Sequence, residues 1–421
     1  MVSNKLIAII VVVVLAVAGV GGYFLLSDDD DRTSTTGRLL VYGNANGDDL
    51  VDQKDIDLIK DSMENWDESE YPFADANKDG KIDNSDVDVV KKIIDRQKVP
   101  LHYIDGTGEE CTINFPIANY GVAGTAVVPM IEALGICDKA VGMTKSSSYD
   151  SVLHSEFLAL DLPLIGNRAY EIDLEMVSEI DGLQSIITIN TDTYDDVEDA
   201  LKGTQISCIR VNPDHGTESI SSFLLLGLLF DGVDKSIKIS EFYDRINNEL
   251  AEKVATISDS DRKTVLTMYS YSICGKDYYT TLNAIAAGGK NLADFSDSSK
   301  SVKTDVEWAL NAYNPDYIIQ NSSYGWEDGV DLNAKFYNYG QYVTLFDCYP
   351  ENYFCVNKDL PPILRSAFIA SVLYPEVFGA DYGEKALQEY VDEFYGFIED
   401  FDVTEHGCWV ITYEDAGPQA A

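Results

Sequence analysis

Basic residues are scarce in this chain of 421 residues, which has 30 lysines and arginines against 72 aspartates and glutamates and a formal net charge of −42 at pH 7. The phosphates of nucleic acids and anionic lipid headgroups repel a surface of that sign. The charge therefore argues against nucleic acid and against an anionic membrane surface as partners. It fits a highly solvated protein outside the cell.

Catalytic signatures are also missing. The four histidines form no metal-binding motif, and there is no nucleophile elbow, phosphate-binding loop or dinucleotide-binding glycine pattern. The seven cysteines include no Cys-x-x-Cys pair. Cys348 and Cys355 are spaced to close a small loop, but two reduced core thiols explain them equally well. We predict that the chain is not an enzyme.

One apolar run is long enough to cross a membrane. Residues 6–26 are almost wholly apolar, and at about 1.5 Å per residue they extend roughly 31 Å, enough for a hydrocarbon core of about 30 Å. Lys5 precedes the run and four aspartates follow it, so the positive-inside tendency places the rest of the chain outside. We predict a single-pass membrane anchor and acidic tether over residues 1–38, with the bulk of the protein extracellular. A cleaved signal peptide is the alternative.

Two acidic loops, 31 residues apart, have the spacing of a calcium loop. Calcium takes oxygen ligands from loop positions 1, 3, 5, 7 (through the backbone), 9 and 12. Each loop is followed by apolar residues at helical spacing. The ligand positions are Asn44, Asn46, Asp48, Leu50, Asp52 and Asp55 in the first loop, and Asp75, Asn77, Asp79, Lys81, Asp83 and Asp86 in the second.

This repeated loop and helix, over residues 39–98, resembles a dockerin module, in which position 12 is Asp as it is here. The resemblance implies two bound calcium ions and a cohesin-like partner. The second loop matches every position, whereas the first has Asn44 at position 1 and Asp49 at position 6, where a glycine usually supplies a left-handed backbone. The first loop therefore departs from the calcium-loop pattern at two of its positions. An acidic turn that binds no ion is the alternative.

Two later stretches are built on one plan. Asp173-Leu174-Glu175 leads through a helical spacing to Ile186-Ile187, and Asp305-Val306-Glu307 leads to Ile318-Ile319 at a constant offset of 132 residues. An acidic first turn suits a helix N-terminus, and the apolar pair is typical of a buried parallel strand. Two similar lobes are implied.

From about Thr112 to Glu414 the chain resembles the substrate-binding proteins of ABC importers for iron chelates, haem and cobalamin. The resemblance rests on the order and spacing of residues 133–143 (ALGICDKAVGM), 172–175 (IDLE), 286–293 (AAGGKNLA), 314–319 (NPDYII, after Glu307) and 373–378 (LYPEVF). It implies a ligand held between two lobes and an ABC permease as partner. In that family a glutamate on each lobe meets arginines of the permease, which assigns Glu175 and Glu307 to permease docking. The alternative is that each acid only stabilises its own helix.

The predicted fold class is α/β, with two Rossmann-like lobes joined by a single long helix and preceded by the transmembrane helix and the small all-α calcium module. The first lobe covers residues 100–235, the connecting helix 236–258 and the second lobe 259–421. Apolar residues four apart place the helix itself over 239–257. The predicted strands are 113–117, 140–143, 186–189 and 206–211, then 265–269, 317–320 and 343–346; helices at 360–378 and 384–401 close the chain.

Ligands of open α/β sheets bind at the carboxyl ends of the strands, so the loops there predict the ligand-binding residues. Their many aromatic side chains suit a large, partly planar ligand, and Arg168 is placed to hold a carboxylate or phosphate. Arg210 ends an apolar strand, where an internal ion pair is an equally good explanation. The predicted residues are Asn119, Tyr120, Thr144, Lys145, Arg168 and Tyr170 in the first lobe, and Tyr269, Tyr271, Tyr324 and Trp326 in the second.

The sequence thus predicts a membrane-anchored extracellular substrate-binding protein that delivers an iron chelate, haem or cobamide to an ABC importer. A cell-surface adhesion or scaffold protein that acts through its calcium module is the alternative. A metal-cluster oxidoreductase of similar lobed fold would need cysteines clustered near strand ends, and the cysteines are scattered.

Overall fold

The computed structural model describes residues 38–64, 71–145, 154–293, 301–302, 312–322, 329–405 and 409–420. The transmembrane run predicted at 6–26 lies outside these residues, as do Glu307, Tyr324 and Trp326. Within the described ranges, no helix combines the length and apolar character needed to cross a membrane.

The N-terminal module has two helices, α1 (Gln53–Ser62) and α2 (Asn84–Ile94), each preceded by one acidic loop. Both helices begin with a capping box. In each box the side chain of the N-cap aspartate accepts the backbone amide of the aspartate three residues later, and the side chain of that second aspartate accepts the backbone amide of the N-cap. The chain then forms an antiparallel hairpin of β1 (Val99–Ile104) and β2 (Glu110–Phe115). The strand predicted at 113–117 therefore belongs to this hairpin, because its partner is the strand just before it, and not to the sheet of the first lobe.

The first lobe is a five-stranded parallel sheet in the order β5-β4-β3-β6-β7, with helices packed around it. Its central strands are short apolar runs buried on both faces, as parallel strands covered by helices are. The strands are β3 (Tyr120–Val122), β4 (Ala140–Thr144), β5 (Leu164–Gly166), β6 (Ser185–Ile189) and β7 (Ser207–Val211); the helices are α3 (Val128–Leu134), α4 (Ser155–Leu158), α5 (Leu174–Ser178), α6 (Asp195–Leu201) and α7 (Gly216–Phe230).

A single long helix, α8 (Val233–Val254), connects the lobes. Its apolar face carries Ile239, Phe242, Ile246 and Leu250, all buried, at the spacing of three and four that keeps side chains on one side of a helix. The helix starts and ends somewhat earlier than its predicted bounds of 239–257. It packs against helices of both lobes and so connects them through a rigid element.

The second lobe has a mixed sheet in the order β11-β9-β8-β12-β13-β14, with β10 beside β8. Its parallel strands are β8, β10, β12 and β13, and the others are antiparallel. The strands are β8 (Thr264–Tyr269), β9 (Ser272–Cys274), β10 (Lys290–Asn291), β11 (Ser301–Val302), β12 (Tyr317–Ser322), β13 (Tyr353–Asn357) and β14 (Val410–Ile411); the helices are α9 (Tyr279–Ala286), α10 (Leu332–Gly340), α11 (Pro362–Leu373), α12 (Pro375–Phe378), α13 (Tyr382–Phe394) and α14 (Tyr413–Ala416).

The strand predicted at 343–346 is wrong. Val343 and Phe346 are buried, but their amides donate to carbonyls three residues back, at Gly340 and Val343, so the segment is a series of tight turns that points two apolar side chains inward. The strand beside β12 is β13, whose five residues are all buried.

One apolar core runs through the module and both lobes. Val41, Ile59 and Val90 of the module are fully buried in the same cluster as Ile239 of the connecting helix and Leu364 of the second lobe. The N-terminal module is therefore part of the same folded body as the two lobes and not a separately packed domain.

The described cysteines are all unpaired thiols. Cys355 is buried in β13 and Cys348 is half-buried in the turn before it. Of the two explanations left open for this pair, the structure has the reduced thiols.

Candidate functional site

A small cavity of about 60 Å³ lies where the two lobes meet the connecting helix. The first lobe contributes Asp214, which follows β7, and Ser219 at the start of α7. The connecting helix contributes Tyr243, and the second lobe contributes Tyr279 and the residues that follow β13. The cavity therefore sits at the carboxyl ends of strands from both sheets, which is where open α/β sheets bind ligands.

A lysine from the second lobe supplies positive charge to this cavity. Lys358 follows β13 directly, and its Nζ lies 3.2 Å from Oδ1 of Asp359. Burial disfavours the charged ammonium group, but the carboxylates of Asp359 and Asp214 outweigh that effect and raise the pKa of Lys358 above its ordinary value. Lys358 is therefore a charged group at neutral pH in the wall of the cleft.

An ion pair between a buried arginine and a half-buried aspartate joins the lobes beside the cavity. Arg365 of α11 is 1% exposed, and its Nη2 lies 2.9 Å from Oδ1 of Asp214 in the first lobe. Its guanidinium carbon lies 4.7 Å from the ring centre of Tyr279. The Nε and Nη1 atoms of Arg365 have no hydrogen-bond partner among the described residues. Removing Asp214 would leave the buried guanidinium of Arg365 without an anionic partner. The pair therefore stabilises the contact between the two lobes beside the cavity.

Two tyrosine hydroxyls at the cavity stay protonated. Burial is the main cause that raises the pKa of Tyr243 and of Tyr279 above the ordinary value of a phenol. The Tyr279 hydroxyl accepts a hydrogen bond of 2.6 Å from Nδ2 of Asn321. The nearby Ser219 hydroxyl lowers the pKa of Tyr243 and so opposes the effect of burial. The hydroxyls of Ser219 and Tyr243 have no hydrogen bond of good geometry with the described residues.

A histidine–glutamate pair forms another part of the wall. Nδ1 of His154 lies 2.8 Å from Oε2 of Glu132, whose Oε1 accepts the amide of Phe157 at 3.1 Å. Burial raises the pKa of Glu132, and the hydrogen bond from His154 opposes that shift. The arrangement fixes the imidazole ring at the cavity.

An aromatic series leads from the second-lobe surface to the cavity. The rings of Tyr278 and Tyr279 stack with their centres 4.4 Å apart, and Tyr269 lies 6.3 Å from Tyr278. Tyr269 ends β8 and is 37% exposed. Tyr271, 45% exposed in the next turn, contacts Tyr342 instead. Of the two described tyrosines predicted for this lobe, Tyr269 is thus the one connected to the cavity.

The predictions for Asn119 and Tyr120 are corrected by the direction of β3. Both residues lie at the amino end of that strand. They are therefore at the opposite edge of the sheet from the cleft, which lies at the carboxyl ends of the strands. Tyr120 is fully buried, and its hydroxyl donates to the carbonyl of Ile136 at 2.9 Å. The Nδ2 of Asn119 donates to the carbonyl of Gly182. Both side chains are part of the fold.

The other first-lobe predictions lie at the correct sheet edge but away from the cavity. Thr144 ends β4 and is buried, with its hydroxyl bonded to the amide of Gly124 and the carbonyl of Ala169. Lys145 is exposed, and Tyr170 is 44% exposed. Arg168 is 67% exposed and forms an ion pair of 3.6 Å with Glu171. Its side chain therefore lies at the surface and not in the wall of the cavity.

Arg210 forms the internal ion pair that the sequence left open. It is 2% exposed and contacts Asp195 at 3.1 Å and Glu198 at 3.0 Å. Its Nε and Nη2 donate to the carbonyls of Ile189 and Thr191. It therefore secures the loop after β6.

The cavity residues were missed for two reasons. Asp214 follows a strand that was correctly predicted, so the end of β7 was a signal that could have found it. Lys358 and Asp359 follow β13, which was assigned too early in the sequence, so their position at a strand end was hidden. Tyr243 and Tyr279 belong to helices, and only the fold brings them to the cleft.

Most hydrogen bonds within the first acidic loop have an equivalent at the same position of the second loop. At position 12, Oδ1 of Asp55 accepts the amide of Asn46 at 3.1 Å, and Oδ1 of Asp86 accepts the amide of Asn77 at 3.2 Å. The position-3 side chains accept the position-5 amides at 2.9 Å in both loops. The same agreement holds where the position-5 carboxylates accept the position-7 amides, at 2.9 and 3.0 Å. Two segments with different sequences thus adopt one loop conformation.

The loops differ at positions 1 and 6. Asp75 accepts the amides of Asp79 and Gly80, and Gly80 has the left-handed φ of +82° that glycine favours. In the first loop, Nδ2 of Asn44 donates to the carbonyls of Leu39 and Asp48, each at 2.7 Å. Asp49 at position 6 is not left-handed, so an aspartate is tolerated there.

The donor set of the first loop fits a hard cation. Asn44 is fully buried, and its Oδ1 has no hydrogen-bond partner among the described residues. Burial raises the pKa of Asp55 to about 6 and also raises that of Asp86, because the charged form of a carboxylate is less well solvated there. Within the described ranges no three His, Cys, Asp or Glu side chains converge as a metal-ligand group, since most loop carboxylates accept backbone amides instead.

Glu175 lies in the first turn of α5, where Asp173 is the N-cap and accepts the amides of Glu175 and Met176. Its side chain is exposed, and it forms no ion pair with the described residues. The two free amides of the helix start are therefore satisfied by Asp173, and Glu175 leaves its carboxylate in solvent.

Comparison with solved structures identifies the fold. The TroA-like periplasmic binding protein FepB from Veillonella parvula is similar with a TM-score of 0.58 and 19% identity, over 74% of this chain and 99% of that one. Helicobacter pylori CeuE in a Ni-His complex has a TM-score of 0.56 and 17% identity, over 73% and 98%. The molybdate periplasmic binding protein MolA of Haemophilus influenzae, bound to molybdate, has a TM-score of 0.56 and 14% identity, over 70% and 97%.

No protein-family model matches the chain, and neither does any curated protein. The likeness extends over nearly the whole length of the three solved structures and leaves about a quarter of this chain outside it. At these identities it shows that the chain has the two-lobed fold of periplasmic binding proteins.

Proposed function

We propose that this chain is a substrate-binding protein that captures a ligand between its lobes and delivers it to an ABC importer. The observation that carries the proposal is the cavity between the lobes, whose wall combines the end of β7, the end of β13 and the connecting helix. A cleft shared by two lobes lets a ligand stabilise the closed arrangement, as in hinged binding proteins. The two-lobed fold supports the same function.

The proposed ligand is a metal chelate or a tetrapyrrole such as haem or a cobamide. Pockets for ligands of that size are typically about 300 to 1,000 Å³, so the cavity of about 60 Å³ holds such a ligand only after the lobes separate. Stacked rings such as Tyr278 and Tyr279 suit a planar ligand, and Lys358 suits an anionic substituent.

Native purification tests this proposal. The full-length protein, isolated from its own cells, should carry a bound compound that native mass spectrometry detects and, for a chelate or tetrapyrrole, visible absorption confirms. Lys358→Ala should lower the occupancy severalfold, because a cation of the cleft is lost, while Lys385→Ala, on the exposed face of α13, serves as the matched control. Equal occupancy in both variants would remove Lys358 from the site, and a ligand-free protein from cells grown on every candidate ligand would contradict the function.

Delivery in this proposal uses the predicted anchor and the two predicted glutamates. The helix at 6–26 tethers the protein to the cell membrane with its lobes outside, and Glu175 and Glu307 meet cationic residues of the permease. Glu175 supports this role because it is exposed and unpaired within the described part of the chain. Crosslinking to the permease from position 175 tests the contact directly.

Calcium is the proposed ion of the two N-terminal loops. In the first loop the ligands would be the side chains at positions 1, 3, 5, 9 and 12 and the carbonyl of Leu50, and the unpartnered Oδ1 of Asn44 supports this assignment. The second loop would use the corresponding residues from Asp75 to Asp86. The ion would supply structural stabilisation only. Titration calorimetry of the full-length protein should give two calcium ions per chain, and a value of one would limit the assignment to the second loop.

A further inference from the structure

The first acidic loop contacts the connecting helix through Asp49, one of its two residues that depart from the calcium-loop pattern. Oδ1 of Asp49, at position 6, accepts from Nε of Arg38 at 3.0 Å, and Oδ2 accepts from Nη2 of the same guanidinium. Nη1 of Arg38 lies 2.6 Å from Oδ1 of Asp244 on α8. One turn earlier on α8, the hydroxyl of Ser240 donates to Oδ2 of Asp49 at 3.1 Å.

The contact of Arg38 with Asp49 is better shielded than an ordinary surface ion pair, whereas Asp244 is 46% exposed. The side chains of Arg38 and Asp49 are 27% and 19% exposed, and Ser240 is buried. The guanidinium makes a bidentate contact with one carboxylate and a second contact with another, a geometry that lysine does not reproduce. Burial alone would lower the pKa of Arg38, but the two carboxylates raise it overall.

The second loop contacts the β1–β2 hairpin in a separate way. Nζ of Lys78, at loop position 4, lies 2.5 Å from Oε1 of Glu110 on β2 and 4.2 Å from the ring centre of Tyr42. The Tyr42 hydroxyl donates to the same Oε1 at 2.5 Å. The second loop therefore contacts the hairpin, and the first loop contacts the helix between the lobes.

We propose that the module is an intramolecular calcium brace, in which the ion of the first loop orders Asp49 and thereby holds the connecting helix. Asp49 stands between ligand positions 5 and 7, so an ion bound to Asp48 and to the carbonyl of Leu50 fixes the backbone on both of its sides. Without an ion, the carboxylates of the loop repel one another and Asn44 Oδ1 stays unpaired. This inference rests on the proposed calcium binding, and it assigns the module a partner within its own chain.

Hydrogen exchange of the full-length protein tests the brace. Calcium should slow exchange of the amides in α8 (Val233–Val254) at least about threefold, the scale expected when a part-buried ion network is ordered. Asp49→Gly removes the tie and installs the usual residue of position 6, so calcium should still bind while its effect on α8 disappears. Asp57→Asn, on the exposed side of α1, is the matched control and should behave as the unmodified protein.

Calorimetry on the same samples separates the outcomes. Two bound calcium ions with unchanged exchange in α8 would overturn the brace and leave the calcium sites standing. A calcium effect on α8 that survives in Asp49→Gly would overturn the route through Asp49. Absence of calcium binding would refute the brace together with the calcium assignment, while the ligand and transport proposals, which this experiment does not use, would be unaffected.

Discussion

Arg96 joins the N-terminal module to the first lobe, and its removal should destabilise both. Its Nη1 and Nη2 donate to the carbonyls of Leu228 and Leu229, at 2.8 and 3.1 Å, in the last turn of α7. Its Nε lies 3.5 Å from Asp231, and its guanidinium carbon lies 5.0 Å from the ring centre of Phe115. We expect Arg96→Ala to lower the free energy of unfolding of the whole protein.

The size of the loss follows from these contacts. Hydrogen bonds from charged donors contribute roughly 1.5 to 3 kcal/mol each, but the side chain of Arg96 is 28% exposed and water can replace part of them. The cation–π contact adds about 0.5 to 1 kcal/mol. A total loss of about 2 to 4 kcal/mol is therefore expected. Arg96→Lys keeps the charge but not the fork that reaches two carbonyls, so it should lose about half as much.

The backbone at position 96 offers an internal control. Arg96 has a left-handed φ of +51°, which costs a residue with a Cβ about 1 kcal/mol relative to glycine. Arg96→Gly should therefore be about 1 kcal/mol more stable than Arg96→Ala. Urea titration of the full-length protein followed by circular dichroism gives these values by linear extrapolation. A loss below about 1 kcal/mol for alanine, or no advantage of glycine over alanine, would refute the reasoning.

Three further predictions concern calcium, transport and the cleft. Asp79→Ala with Asp86→Ala should remove most of the rise in melting temperature that calcium gives, and an unchanged melting curve under chelator would contradict a calcium role. Glu175→Arg with Glu307→Arg should abolish uptake into cells while ligand affinity stays nearly intact, since charge is reversed only at the permease contact; continued uptake would contradict the docking role. Arg168→Ala, at the residue that the sequence predicts to hold a carboxylate or phosphate, should change ligand affinity less than about threefold in calorimetry, because the side chain is exposed.

Elements with a strong periodic pattern were predictable from the sequence. The connecting helix shows its apolar face from Ile239 to Val254, over about four turns, and β6 and β12 each contain an isoleucine pair that indicates a buried strand. The strand β3 has only three residues, Tyr120–Val122, too few for any period to show. Apolar spacing misled at 343–346, because two buried side chains three residues apart fit a turn as well as a strand.

The candidate site was less predictable than the fold. A strand end is a local property that a sequence can reveal, but which strand ends face each other depends on the arrangement of whole lobes. Tyr243 reaches the cavity from a helix, and Arg365 reaches Asp214 across the two lobes. The calcium-loop pattern, in contrast, is contained in twelve consecutive residues. Its departure at Asp49 was correctly recognised as unusual, although its contact with Arg38 lies 11 residues away and its contact with Ser240 lies 191 away.

The shared apolar core bears on how such a protein is inherited. A module that moves between genes must keep a sealed interior when it is cut free, but excision at residue 98 would remove the bridge from Val41 to Tyr103 and expose part of the apolar cluster that the module shares with the lobes. A fragment with that surface tends to aggregate. The N-terminal module and the two lobes therefore evolve together, because a substitution in one also affects the stability of the other.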